Sequence, residues 1–210
     1  PKSNRELTKD ETIDAIESLL NQSVHSEQIA AFLLGWRVRL ETVEELKTTL
    51  EVCDKYIKRV KIPNSIELGY PFDGKADNPY LLPLISKYLK KFDLNLVVSG
   101  DEIQPAKKGL TIKQLYENIE FDDNVFYFDR ADYFKELSNL TKIRNILGLR
   151  TAFNTVEKLL NPGTSDYAVN AAFHKPYVAK YNQIFGNNYK NLIIVKGNEG
   201  TPEIFSKCKY

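Results

Sequence analysis

The chain has 210 residues, 42% of them apolar and 27% charged, with 29 Lys+Arg against 28 Asp+Glu and a formal charge of +1. That composition suits a globular protein with a buried core and excludes a disordered acidic or basic tail. No apolar run approaches the ~18 residues of a membrane span, and Cys53 and Cys208 form neither a disulfide framework nor a zinc cluster, so a cytoplasmic protein without a membrane partner is expected.

In chain order, residues 1–62 read as helices. Thr8 and Glu11 have capping-box spacing, and Ile13, Ile16 and Leu20 follow on one face. A second helix starts near Ser26 and carries Ile29, Phe32, Trp36 and Leu40. Thr42 and Glu45 repeat the capping-box spacing ahead of a stripe of Val43, Leu46, Leu50, Cys53, Ile57 and Val60, which makes Cys53 a core residue. The helical run is expected to stop at Ile62-Pro63, because a residue before proline is pushed out of the helical region.

From Asn64 onward, short apolar runs alternate with longer helical stretches. Strands are expected at 65–68, 94–99, 125–128, 167–172 and 192–196. Helices are expected at 80–91, 111–118, 132–147, 151–160 and 176–185. This alternation predicts an α/β unit over 63–210 with a mainly parallel sheet, beside a small helical domain at 1–62. Ligands of such sheets sit beyond the carboxyl ends of the strands, so the loops there are the candidates.

After the first strand come Gly69, Asp73, Gly74 and Lys75. They suit either an anion loop, with backbone N–H groups and Lys75 facing a phosphate, or an ordinary tight turn. After the second come Ser99, Gly100, Asp101 and Glu102, then Lys107 and Lys108. These carboxylates suit magnesium or a solvated loop, and the lysines suit phosphates. Arg150 opens a helical segment with Thr151 and Asn154, where its guanidinium could grip a carboxylate or phosphate or make a structural pair. A last Gly-rich loop holds Glu199 and Glu203, two carboxylates suited to magnesium. His25 and His174 find no triad partners, so hydrolase chemistry is not expected, and no catalytic residue is assigned.

Taken together, these loops resemble the anthranilate phosphoribosyltransferase family and its relatives among the pyrimidine nucleoside phosphorylases. The segment from Leu147 to Pro162 looks like the family's LGxRTxFNxxxxLxNP. The segments Gln28 to Leu34 and Glu41 to Leu46 match its N-terminal helices. The resemblance implies a helical domain packed on an α/β domain of the phosphoribosyltransferase class, a homodimer through the N-terminal helices, and an interdomain cleft for phosphoribosyl pyrophosphate with magnesium. It implies that Arg150, with Asn154, binds the aromatic acid acceptor. Asp73-Gly74-Lys75 would end the pyrophosphate loop, and Glu203 would be one of two magnesium carboxylates. The family's α/β domain continues beyond the segment matching Lys196 to Glu203. The chain as given is therefore expected to be C-terminally incomplete, and its complete lack of methionine also suggests missing residues.

The departures from the family pattern bear on function. GTGGDGK becomes Gly69-Tyr70-Pro71-Phe72-Asp73-Gly74-Lys75, losing small residues that let backbone close on a pyrophosphate. KHGNR becomes Val98-Ser99-Gly100-Asp101-Glu102, whose negative charges are expected to repel a polyanion. LDE becomes Thr201-Pro202-Glu203. This pattern looks like the family's non-tryptophan paralogue group, in which nucleic-acid binding is described. The expectation is a phosphoribosyltransferase-like protein that binds DNA, RNA or another phosphate-bearing ligand; Lys87, Lys90, Lys91, Lys107, Lys108 and Lys113 could form a basic stripe in a dimer, while Lys87, Lys90 and Lys91 also read as the solvated face of an amphipathic helix. The competing expectations are an active transferase using magnesium, phosphoribosyl pyrophosphate and an amine such as anthranilate, and a structural dimer with a decayed cleft.

Overall fold

The computed structural model describes residues 5–204; Cys208 lies outside the described residues. Three helices come first, α1 (Lys9–Leu20), α2 (Ser26–Arg39) and α3 (Val43–Asp54). Both expected capping boxes form. The hydroxyls of Thr8 and Thr42 accept from the N–H groups of Glu11 and Glu45, whose carboxylates reach back to the capping residues. That satisfies N–H groups which a helix start leaves without partners.

The stripe in α3 breaks where the sequence expected it to continue. The helix ends at Asp54, and beyond it the N–H groups of Lys58, Val60 and Ile62 donate to the carbonyls of Tyr133, Pro162 and Gly163 at 2.8 to 2.9 Å. Branched Ile57, Val60 and Ile62 are mediocre helix formers, so pairing with a distant loop outweighs local helix here. Cys53 is fully buried, and burial pushes its thiol well up, as expected of a core residue.

The α/β part follows in the order β1 (Ser65–Gly69), α4 (Leu82–Lys90), β2 (Asn95–Gly100), α5 (Ile112–Asn118) and β3 (Val125–Asp129). Four short helices come next, α6 (Arg130–Tyr133), α7 (Lys135–Ser138), α8 (Thr141–Leu147) and α9 (Phe153–Val156), then β4 (Tyr167–Ala171), α10 (Pro176–Phe185) and β5 (Asn191–Val195). The five strands form one parallel sheet in the order β3-β2-β1-β4-β5.

Two expected helices are reshaped by burial. The stretch 132–147 is split at Phe134, which is fully buried with φ −149°. The stretch 151–160 stays helical only over α9, because nearly every side chain in it is buried and no polar face remains for an amphipathic helix.

Ile66, Leu68 and Val169 pack with Leu82 of α4 and Leu115 of α5 on one face of the sheet. Ala168 and Ala172 join the other face, where one apolar cluster runs from Ile16, Trp36 and Leu46 through Phe134 and Phe153 to Phe185. The N-terminal helices therefore share a core with the sheet. The chain winds outward from β1 to β3 and then returns to the other side of β1, so adjacent β1 and β4 send their loops in opposite directions. A crevice opens at their carboxyl ends, where parallel sheets bind ligands.

Candidate ligand cleft at the switch point

A cleft of about 430 Å³ lies at that crevice. Its lining comes from the loops after β1, β2, β4 and β5, from α9 and α10, and from Arg37 of α2. A larger groove of about 610 Å³ is lined by α3 and by segments leading into β4 and β5, at the amino ends of those strands, and it gathers none of the candidate residues.

Asp73 sits at the base of the cleft, 2% exposed, accepting from Nε of Arg150 at 3.1 Å with Nζ of Lys107 at 4.0 Å. The Arg150 side chain is 49% exposed, so one edge of its guanidinium is used by Asp73 while the rest faces the cleft. Phe72, Phe173, Tyr177 and Tyr181 supply aromatic wall. Asn154 belongs to the support. Its carbonyl accepts from Arg144 and from the Thr151 N–H, each at 2.9 Å, and its amide donates to the Pro105 carbonyl at 3.0 Å.

Lys75 and Glu203, expected to hold phosphate and magnesium, hold each other instead. Both side chains are fully buried in an ion pair. Glu203 also accepts from the Tyr70 hydroxyl at 2.9 Å and the Leu81 N–H at 2.7 Å, while Lys75 donates to the Pro79 carbonyl at 2.8 Å. With these donors on Glu203 and Pro202 beside it, the residues present do not fit a magnesium site. Among the described residues, no group of three or more His, Cys, Asp or Glu is placed to hold a metal.

Gly74 and Gly109 explain why the first loop is tight. Lys75 and Leu110 exchange two backbone hydrogen bonds of 2.9 Å, and a Cβ on Gly74, which has φ +77°, would fall 2.4 Å from the Gly109 carbonyl oxygen. This is the turn reading of Asp73-Gly74, with the glycines serving loop packing. Gly69 and Asn170 are register partners at the ends of β1 and β4. Ser99 and Gly100 are buried at the end of β2 and stay outside the cleft lining, and Lys108 is exposed outside it.

The expected repulsion at Asp101 is corrected by the interior. Asp101 is 2% exposed and accepts from Nε of Arg130 at 2.6 Å, while Arg130 also pairs with Glu157. Arg144 joins Glu157 at 2.7 Å, giving two arginines and two carboxylates in one buried network. Burial opposes the Glu157 charge, yet Arg144 and Arg130 outweigh it and keep its pKa below the usual value. Glu102, by contrast, is exposed and lies 3.1 Å from Lys113.

Lys158 was not singled out from sequence, although the charged pair Glu157-Lys158 set between Val156 and Leu159-Leu160 is the signal that could have found it. It lies against the cleft and donates to the carbonyls of Ala171 at 2.8 Å and Gly200 at 3.0 Å. Burial pulls its ammonium pKa down to about 7, and Asp73 acts against that shift. Arg37, from the helical part, was missed for lack of any local pattern.

Comparison with known proteins agrees with this architecture. Residues 2–53 match the helical bundle domain of a glycosyl transferase family. The chain is 31% identical over 205 residues to an uncharacterized protein of Aquifex aeolicus, covering 93% of this chain and 64% of that one. It is 25% identical over 219 residues to the anthranilate phosphoribosyltransferase of Neisseria meningitidis serogroup C, covering 96% and 62%. Among solved structures, the anthranilate phosphoribosyltransferase of Thermus thermophilus superposes with a TM-score of 0.71 at 15% identity, covering 96% of this chain and 65% of that one. The Saccharomyces cerevisiae enzyme, in complex with phosphoribosyl pyrophosphate and magnesium, gives 0.68 at 15% identity, covering 93% and 62%. The chain has the fold of the anthranilate phosphoribosyltransferases, and its first helices are similar to the helical bundle domain of a glycosyl transferase family. It spans just under two thirds of the length of these relatives. No helix among the described residues is long and apolar enough to cross a membrane.

Proposed function

We propose that the chain binds a small anion, an aromatic carboxylate foremost, in the cleft at the β1/β4 switch point, and that internal ion pairs have replaced the family's phosphate and magnesium apparatus. The observation that carries this reading is the buried Lys75–Glu203 pair, which engages the expected phosphate lysine and the expected metal carboxylate in each other. Arg150 remains half exposed beside aromatic walls, and Arg37 adds a second cation without a carboxylate partner among the described residues. In this reading the helical part at 1–62 and the α/β part at 63–210 act as two domains on either side of the cleft.

The test is calorimetric titration with benzoate and anthranilate, alongside an assay of anthranilate consumption with phosphoribosyl pyrophosphate and magnesium. The expected result is saturable binding of the carboxylates, weakened about tenfold or more by Arg150→Ala, with no turnover. Magnesium-dependent consumption of anthranilate would reinstate the transferase reading that the named relatives suggest.

A second reading, nucleic-acid binding, is supported by α4. Exposed Tyr88 and Phe92, at and just beyond its C-terminal end, pair with ring centroids 5.4 Å apart, and their chain neighbours Lys87 and Lys91 are exposed, a mix of aromatic and basic groups suited to bases and phosphates. Lys108 of the expected stripe is exposed, whereas its other three members are neutralised within the chain. Lys90 lies 2.7 Å from Asp123, Lys113 lies 3.1 Å from Asp129, and Lys107 lies 3.5 Å from Glu199. Salt-dependent binding of single-stranded DNA that Lys87→Ala with Lys91→Ala weakens would establish this second activity; no salt-sensitive binding would exclude it.

A further inference from the structure

The loop after Lys75 has the chemistry of an anion site that is already filled. The N–H groups of Ala76, Asp77 and Asn78 converge on one point, and the Asn78 side-chain amide joins them. All four donate to the Glu199 carboxylate: Ala76 at 2.6 Å to Oε2, then Asp77 at 3.1 Å, Asn78 N–H at 3.1 Å and Asn78 Nδ2 at 3.2 Å to Oε1. Successive backbone N–H groups of this kind form a nest for an anion. Lys107 completes it, donating to the Glu199 carbonyl at 2.9 Å with Nζ 3.5 Å from the carboxylate.

Glu199 is delivered at a conformational cost. Its backbone sits at φ +55°, ψ +15°, a left-handed conformation that a residue with a side chain seldom adopts. Its side chain is nonetheless only 8% exposed, pressed into the nest. A surface glutamate in a Gly-rich turn would ordinarily stay solvated, so the strain and the four donors mark a fitted contact.

We propose that Glu199 is an intramolecular stopper whose carboxylate fills the oxyanion nest of Ala76, Asp77 and Asn78, making it the residue that bars phosphate groups from this end of the cleft. A tethered carboxylate competes at an effective concentration on the order of mM or above, so a weakly held free phosphate does not displace it. The stopper deepens the cleft-binding reading and rests on it only in that Asp77 and Glu199 line the same cleft as Arg150. Ligands entering the cleft then meet the exposed edge of the Arg150 guanidinium, whose other edge is held by Asp73, and a closed nest at Glu199, which selects carboxylates over phosphates.

The experiment is titration of the whole chain, wild type and Glu199→Ala, with inorganic phosphate at constant ionic strength, and with benzoate in parallel. Glu199→Ala is expected to gain phosphate affinity by about tenfold or more, with Glu199→Gln between it and wild type. Equal phosphate binding by wild type and variant overturns the stopper. If benzoate still binds in that case, the cleft reading stands alone; if phosphate affinity rises while benzoate binds neither protein, the cleft reading fails and the stopper holds. Amide hydrogen exchange at residues 76–78 is a second readout should Glu199→Ala fold poorly. Protection in wild type at neutral pH is expected, and fast exchange there overturns the proposal.

Discussion

The buried pair of Lys75 and Glu203 separates a structural from a ligand-binding role at single residues. If the pair is structural, Lys75→Met strands a buried carboxylate and should cost about 3 to 5 kcal/mol in urea unfolding, and Lys75→Met with Glu203→Gln should recover part of that loss. A phosphate-binding lysine would instead leave stability nearly intact. Glu67 offers a pH test in the sheet. It is fully buried, accepts from the Asn161 N–H at 3.1 Å and from the Tyr189 hydroxyl, and burial raises its pKa from 4.5 to about 7. Between those values the folded chain keeps a proton that the unfolded chain has released. Its contribution to stability is therefore full below pH 4.5, falls as pH rises to about 7 and is level above. Glu67→Gln should flatten this slope, which amounts to about 3 kcal/mol, in denaturant melts taken from pH 5 to 8.

Among the elements, the helix starts were the most legible part of the sequence, because a capping box is local chemistry. Glu45 shows what the motif could not reveal. Besides closing its box at Thr42, it accepts from the Trp36 indole N–H at 3.0 Å and the Leu7 N–H at 2.8 Å, and it pairs with Arg39. Burial works against its charge, but these donors, led by Arg39 and Trp36, hold its pKa at about 2. Thr8→Ala, a cap alone, should cost about 1 kcal/mol. Glu45→Ala, which strands buried donors, should cost about 3 kcal/mol, and the two should be compared by urea unfolding at neutral pH. The helix ends were less legible. Residues 57–62 keep an apolar period yet bond across to residues 133, 162 and 163, and residues 151–160 are buried on all sides, two outcomes that depend on distant segments.

At the scale of the molecule, one group of exposed apolar side chains lies where α2 adjoins α8. Leu34, Val38 and Leu40, in or just after α2, are 42%, 76% and 57% exposed, and Ile146 of the adjoining α8 is 78% exposed. Such a patch suits the homodimer that the family resemblance implies. Val38→Asp combined with Ile146→Asp is expected to convert a dimer to a monomer in light scattering, and a wild-type monomer at high concentration would rule the interface out.

The sequence by itself determined the three helix starts, the five strands and the loops worth inspecting, because caps, turn residues and apolar periodicity are written in neighbouring positions. Its resemblance to the transferase family also implied that the phosphate and metal motifs had changed. What became of those residues was decided only by the tertiary structure. Asp101 is cancelled by Arg130, Lys75 by Glu203, and the N–H groups of residues 76–78 by Glu199, and each partnership joins positions at least 29 apart. The physical reason is that a charge brought into the interior must find an opposite charge or hydrogen bonds to offset its lost water, and only the folded chain sets which partner is within reach.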